Sequence, residues 1–172
     1  NDDVLVVLIK LADRLHNCRT IEYMPEHKRD KILSETMFVF IPLAHRLGLY
    51  GIKSEMEDIW LRYKEPEAFN EITAKINRNV IDKGKEINDF IAPIDQALQK
   101  AGFKYEIKKR VKTPYSIWNK MNKKGIDFEE IYDLYAVRII FDPGENTTET
   151  ERDQCYHIFS IITGMYRYKS DR

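Results

Sequence analysis

Asp13, Asn17 and Thr20 are spaced four and three apart, which places them on one face of a helix, roughly opposite a stripe formed by Val4, Leu8, Leu11 and Leu15. The three can address one ligand together. A carboxylate on a largely buried helix is costly unless it is paired or bound to a cation, and a metal with open coordination positions could use it to activate water. The competing reading is a surface pair of Asp13 with Arg14 or Arg19, and spacing alone favours that pair. A second group lies in Arg110-Val-Lys-Thr-Pro-Tyr-Ser-Ile-Trp-Asn-Lys-Met121. Pro114 at a helix start puts Ser116 and Lys120 on one face, and together with Lys112 they bring cations and a hydroxyl to a helix beginning, an arrangement suited to phosphate oxygens. Asp133 stands before the apolar run Leu134 to Phe141, where it is either a cap or a magnesium ligand placed to meet a triphosphate; Arg138 interrupts that run with a charge that wants a partner.

The elements that must position these groups differ between the two halves. Val4 to Thr20 reads as a mostly buried helix, because Val6 and Ile9 make the far side of its first half apolar too. Pro25 can start a second helix, Pro42 predicts a kink in the run from Met37 to Leu47, and Gly48 ends it. Further helices are expected at about 54–63, 66–82 and 85–100, with Gly102 as the last stop. The period then changes. Phe103, Tyr105 and Ile107 alternate with Lys104, Glu106 and Lys108, the pattern of a half-buried strand. A short helix from Pro114, an acidic turn at Asp127 to Tyr132 and a central strand at Leu134 to Phe141 follow, closed by Asp142-Pro143-Gly144. Glu145 to Asp153 reads as a mobile loop, and Gln154 to Tyr168 returns to helical spacing. The composition shift puts a boundary near 61–67.

The 172 residues carry 28 basic and 28 acidic side chains, a balance that argues against a globally basic nucleic-acid binder. The charge is uneven, however: Lys100, Lys104, Lys108, Lys109, Arg110, Lys112, Lys120, Lys123 and Lys124 face a single acid, Glu106, within 25 residues. An anion is expected to dock there. Cys18 and Cys155 lack zinc or disulfide spacing and read as reduced thiols. With neither a basic leader nor an apolar run of about 18 residues, the expectation is a soluble, cytoplasmic protein without membrane contact.

Several segments resemble one family. Lys10-Leu-Ala-Asp-Arg-Leu-His-Asn-Cys-Arg-Thr20 is similar to the KLADRLHNMRT segment of the HD-type alarmone hydrolases of the RelA/SpoT family, and Pro42-Leu-Ala-His-Arg-Leu-Gly48 also resembles these proteins. Arg110 to Met121 resembles the family's RPKHxYSIxxKM segment, and Asp127-Phe-Glu-Glu-Ile-Tyr-Asp-Leu-Tyr-Ala-Val-Arg-Ile-Ile140 its DFDEIYDLxAVRII segment. The resemblance implies an α+β chain: the C-terminal part of an all-helical HD hydrolase domain over 1–64, a helical linker or start of the synthetase over 65–102, and over 103–172 the N-terminal part of a synthetase with an incomplete nucleotidyltransferase-like mixed sheet and flanking helices. It implies Asp13 as a manganese ligand, with Asn17 and Thr20 holding the hydrolase's nucleotide. Arg110 and Arg138 would flank the adenine of ATP, Lys112, Ser116 and Lys120 would hold its phosphates, and Asp133 would be the catalytic magnesium ligand.

By the same resemblance, the whole protein transfers the β,γ-pyrophosphate of ATP to the 3′-hydroxyl of GDP or GTP and hydrolyses (p)ppGpp, and it can meet the ribosome through regions absent here. The family's earlier histidine and His-Asp pair, its GYxSLH loop and its EVQIRT strand do not occur in this sequence. The chain is therefore expected to be an interior piece that performs neither reaction alone; His16, His27 and His45 are assigned to structural hydrogen bonds. Two other readings stand beside this one: an RNA- or polyanion-binding module using Lys100 to Lys124 with Tyr115 and Trp118 for stacking, and a regulatory domain that binds nucleotide without catalysis.

Overall fold

The computed structural model describes residues 2–144 and 150–167. Two compact units divide the chain: residues 1–76 with 112–134, and residues 77–111 with 135–172. Seven helices and one pair of strands make up the described residues, an α+β composition.

The first unit is helical. Helix α1 (Asp2–Arg19) buries Leu11, Leu15 and Cys18 against Leu33 of α2 (Glu26–Glu35), Ile41 and Ala44 of α3 (Ile41–Arg46), and Met56 and Ile59 of α4 (Tyr50–Lys64). The expected burial along all of α1 holds only for its second half, since Leu5 and Ile9 are 59% and 60% exposed and Val4, Val6 and Leu8 are also exposed. The kink at Pro42 takes a definite form. Proline has no N–H for the carbonyl four residues back, and its ring crowds that carbonyl. The chain responds with a π-helical turn over Thr36–Phe40, in which the Ile41 N–H reaches five residues back to the Thr36 carbonyl. Thr36 is fully buried there and donates to the Ile32 carbonyl at 2.7 Å, with the Cys18 thiol 3.4 Å from its hydroxyl. Burial pushes the Cys18 thiol up. The first residues of α5 (Pro66–Lys100) add Ile72 and Ile76 to this unit. It is completed by α6 (Pro114–Lys124) and a 3-10 turn at Phe128–Glu130, which bury Ile117, Phe128, Ile131 and Leu134. Gly125 takes the left-handed conformation (φ 62°) that ends α6, a geometry costly for any residue with a Cβ.

Two helices were expected between 66 and 100, but α5 is one continuous helix of 35 residues, passing Gly84 and Pro93 without a break. Gly84 costs only helix propensity, and neither residue outweighs the apolar face that continues through Ile91, Ile94 and Leu98.

In the second unit, β1 (Lys104–Val111) and β2 (Tyr135–Asp142) pair antiparallel, with Lys104 opposite Asp142 and Val111 opposite Tyr135. Tyr105, Ile107, Ile139 and Phe141 share one face, on which Tyr105, Ile139 and Phe141 pack with Ile94, Leu98 and Ile158. The sheet expected to be mixed, with a central strand at 134–141, is among the described residues a two-stranded antiparallel ribbon. Alternation along β2 is strict, half-buried on one side and exposed on the other. Helix α7 (Glu151–Met165) begins earlier than the sequence implied, because Thr150 and Asp153 form a capping box that extends it backward into the expected loop. The rest of that loop, 145–149, and Tyr168 lie outside the described residues.

Candidate functional site

On α1, the helical spacing brings Asp13 and Asn17 together: the Asn17 amide donates to Asp13 Oδ2 at 3.2 Å. Thr20 turns aside, its hydroxyl donating to the His16 carbonyl at 2.9 Å. The surface pair weighed for Asp13 does not form. Arg14 bonds Glu35 at 2.6 Å and stacks over Phe40, while Arg19 pairs with Glu55. Asp13 therefore remains exposed, with Asn17 as its neighbour. As a metal site this is one carboxylate and an amide. No group of three or more His, Cys, Asp or Glu side chains gathers among the described residues, so they do not fit a complete manganese centre.

The second cluster is tighter and is assembled from three segments. Lys112 follows β1, Lys120 lies on the second turn of α6, and Asp133 sits in the turn before β2. The Lys112 N–H donates to the Leu134 carbonyl at 2.9 Å, tying the two flanking segments together at this point. Lys112 Nζ donates to one oxygen of the Asp133 carboxylate and Lys120 Nζ to the other, each at 2.6 Å. These two ammonium groups hold the Asp133 carboxyl down to about 2, so it is ionised at any working pH. Ser116 lies on the same helix, and its hydroxyl accepts from Thr113 at 2.9 Å. One ionised, half-exposed carboxylate between two cations fits a magnesium site of the kind completed by substrate phosphates, because that ion takes one or two carboxylates and fills its octahedron with phosphate oxygens and water.

The backbone amides that begin α6 are not free for phosphate. The Thr113 hydroxyl accepts from Ser116 N at 3.3 Å, and the Asp58 carboxylate, reaching from α4, accepts from Tyr115 N at 2.9 Å. The expected helix-terminus anion site is thus filled by the protein's own groups, and the side chains of Lys112 and Lys120 remain for a ligand. Burial raises the Asp58 carboxyl to about 6. Tyr115 and Trp118 pack with Trp60 of α4 at centroid distances of 6.2 and 6.0 Å, forming a half-buried aromatic cluster between the two helices. The Thr113-Pro114 pair is an N-cap followed by proline at the first helical position and could have been read from sequence. Asp58 could not, since its partner is 57 residues away.

In the second unit, Arg110 stands opposite Ala136 and Arg138 opposite Lys108. The two arginines therefore emerge from the same exposed sheet face as diagonal neighbours. Such positions lie about 7–8 Å apart, close to the roughly 7 Å that a planar ring needs between two flat groups at van der Waals contact. Arg138 was expected in a buried strand, but it is exposed because β2 has an open face. The neighbouring cations are largely engaged: Lys108 with Glu106 at 3.1 Å, Lys104 with Asp142 at 4.0 Å, and Lys109 with Asn88.

Comparison with known proteins agrees with both regions. Residues 1–50 match the HD domain model, and 109–172 match the model described as a region found in RelA / SpoT proteins. These two matches, in this order, define a protein of the class that joins an HD domain to a RelA/SpoT region. Over 109–172 the chain thus carries a region found in RelA / SpoT proteins. It is 38% identical over 165 residues to a GTP pyrophosphokinase of Myxococcus xanthus, covering 96% of this chain and 21% of that protein. It is likewise 38% identical over 167 residues to a guanosine-3′,5′-bis(diphosphate) 3′-pyrophosphohydrolase of Aquifex aeolicus, covering 96% of this chain and 23% of that protein. A GTP pyrophosphokinase of Photobacterium angustum is 33% identical over 167 residues. The chain spans about a fifth of the length of these relatives. No described helix is long and apolar enough to cross a membrane.

Proposed function

We propose that this chain carries the ATP-holding part of an alarmone synthetase, together with a section of the opposing hydrolase. The carrying observation is the convergence of Lys112 and Lys120 on Asp133. In the resting arrangement the two cations flank one carboxylate; Lys112 and Lys120 would hold the oxygens of a triphosphate, and Asp133 would hold the magnesium. That ion supplies charge neutralisation on the phosphates. Arg110 and Arg138 flank the adenine, where guanidinium planes stack well on a ring. Ser116 adds a hydroxyl donor to the phosphates once its bond from Thr113 rotates away.

The reaction in the whole protein is attack of the 3′-oxygen of GDP or GTP on the β-phosphorus of ATP. The α–β bridging bond breaks, AMP leaves, and the hydroxyl proton passes to a base that is not among the residues assigned here. On the hydrolase side, Asp13 serves as one manganese ligand, with Asn17 and Thr20 toward the guanine nucleotide, over a domain spanning 1–64. Residues 65–102 lead into a nucleotidyltransferase-like domain from 103 onward. By itself the chain binds ATP and turns over neither substrate. Names of the relatives support the reaction class, since they act on GTP and on guanosine bis(diphosphate).

Calorimetry with ATP and magnesium tests the reading. Binding that needs magnesium and is lost in both Arg110→Ala and Asp133→Ala is the expected result; binding indifferent to both substitutions overturns the residue assignments.

A further inference from the structure

Asp58 belongs to none of the clusters assigned above, yet it is the point at which α4 holds the helix carrying Ser116 and Lys120. Its carboxylate accepts from Tyr115 N, the second residue of α6, at 2.9 Å, so an acid of one helix sits at the positive end of another. The Tyr115 ring packs with Trp60 of α4 and with Trp118 of its own helix. Tyr115 also reaches back to Met37, its hydroxyl 3.9 Å from the sulfur. Helix α6 is therefore seated at its beginning by α4, while Lys120, further along the same helix, meets Asp133 at 2.6 Å. A shift of the helix at its first turn moves the ammonium group at its second.

We propose that Asp58 is a positioning residue for the phosphate-holding cluster: by capping α6 it fixes where Ser116 and Lys120 stand relative to Asp133. This rests on the ATP reading given above. The carboxylate is also placed to respond to protons. It lines a cavity of about 520 Å³ with Arg19, Glu22, Glu55, Arg62 and Tyr63, which gives protons a route to it. The charged groups acting on it are few. Glu57, paired with Lys53 at 2.8 Å and with its other oxygen unbonded, raises it; Arg62, stacked over Phe69, lowers it; and the Tyr115 amide lowers it. Arg19 and Glu55 across the cavity are engaged with each other. Burial outweighs the lowering contributions, so Asp58 changes charge near pH 6, where Asp133 is fully ionised.

Two variants and two readouts decide it. Asp58→Ala removes the acceptor; Asp58→Asn retains an oxygen for the Tyr115 N–H while abolishing the titration. Magnesium–ATP affinity is expected to fall roughly tenfold in Asp58→Ala and to stay within about twofold of the parent in Asp58→Asn. Trp60 and Trp118 are the two tryptophans of the sequence, so near-ultraviolet circular dichroism reads the α4–α6 contact directly. The parent chain is expected to show a change in this signal centred near pH 6 that is absent from both variants. Unaltered ATP affinity in a folded Asp58→Ala protein overturns the proposal, as does a tryptophan transition near pH 6 that survives in Asp58→Asn. If the parent binds no ATP, it is the ATP reading that fails, and the tryptophan transition alone then decides whether Asp58 seats α6.

Discussion

The polar face of α1 and the cluster around α6 are each built on one aspartate, and they differ in what surrounds it. Asp13 has a single neighbouring amide at 3.2 Å and open solvent; Asp133 is gripped by two lysines at 2.6 Å drawn from separate segments. The first arrangement comes from one helix and its four-residue repeat, so it needs nothing from the tertiary fold. The second exists only because the segment after β1, the second turn of α6 and the turn before β2 meet. An exposed acid with spare lone pairs is ready to accept a cation as it stands. A Lys-Asp-Lys group, with one positive charge in excess, must exchange partners, which makes it selective for a ligand that brings both anion and cation together.

Removing both cations breaks the comparison most severely. Lys112→Ala with Lys120→Ala should weaken magnesium–ATP binding by about a hundredfold, because charge-assisted contacts contribute roughly 1.5–3 kcal/mol each, partly offset because the resting pairs with Asp133 no longer have to be broken. Titration calorimetry reads this directly, and an affinity within threefold of the parent would mean that the lysines serve Asp133 alone. The next effect concerns stability. Asp58→Ala leaves the Tyr115 N–H without its acceptor and should cost about 1 kcal/mol in urea unfolding, the usual loss for a helix cap. Asp58→Asn should cost much less.

The two acids flanking α6 also predict opposite slopes with pH. Asp58 is raised to about 6 in the folded chain, so the folded state holds more protons than the unfolded one between about 4 and 6; its contribution to stability falls as pH rises through that window. Asp133 is lowered to about 2, so its contribution is present above about 4 and is lost as pH falls toward 2. Because Asp133 is half exposed, the second slope should be the shallower. Urea midpoints taken from pH 3 to 7 should flatten between 4 and 6 in Asp58→Asn and remain unchanged there in Asp133→Asn.

These differences also mark what could be read from the sequence. Helix periodicity gave α1 and α7, Pro25 and Pro114 marked the starts of α2 and α6, the change to period two gave β1 and an apolar run gave β2, because each signal lies within ten or so residues. The continuity of α5 was hidden by Gly84 and Pro93, whose local cost is real but smaller than what a long apolar face recovers by packing. Pro42 announced a disturbance without saying that it would be a π-helical turn. Within the candidate site, Lys112, Lys120 and Asp133 were legible as separate residues, Lys112 and Lys120 as cations suited to phosphate and Asp133 as a possible metal ligand. Their mutual pairing was not, nor was the occupation of the α6 terminus by Asp58, since both are contacts between distant parts of the chain.

The smallest expected effect is at Asp13, and it sharpens the contrast. An exposed side chain with one hydrogen bond at 3.2 Å contributes little to the fold, so Asp13→Asn should change unfolding stability by less than about 0.5 kcal/mol. The substitution keeps shape and polarity but removes the anionic ligand that a divalent ion prefers. Manganese relaxation enhancement of water protons should therefore fall in Asp13→Asn while the urea midpoint stays fixed, the pattern of a residue kept for a ligand. A marked loss of stability with unchanged manganese response would instead assign Asp13 to the architecture of α1, and the contrast with Asp133 would then be one of degree only.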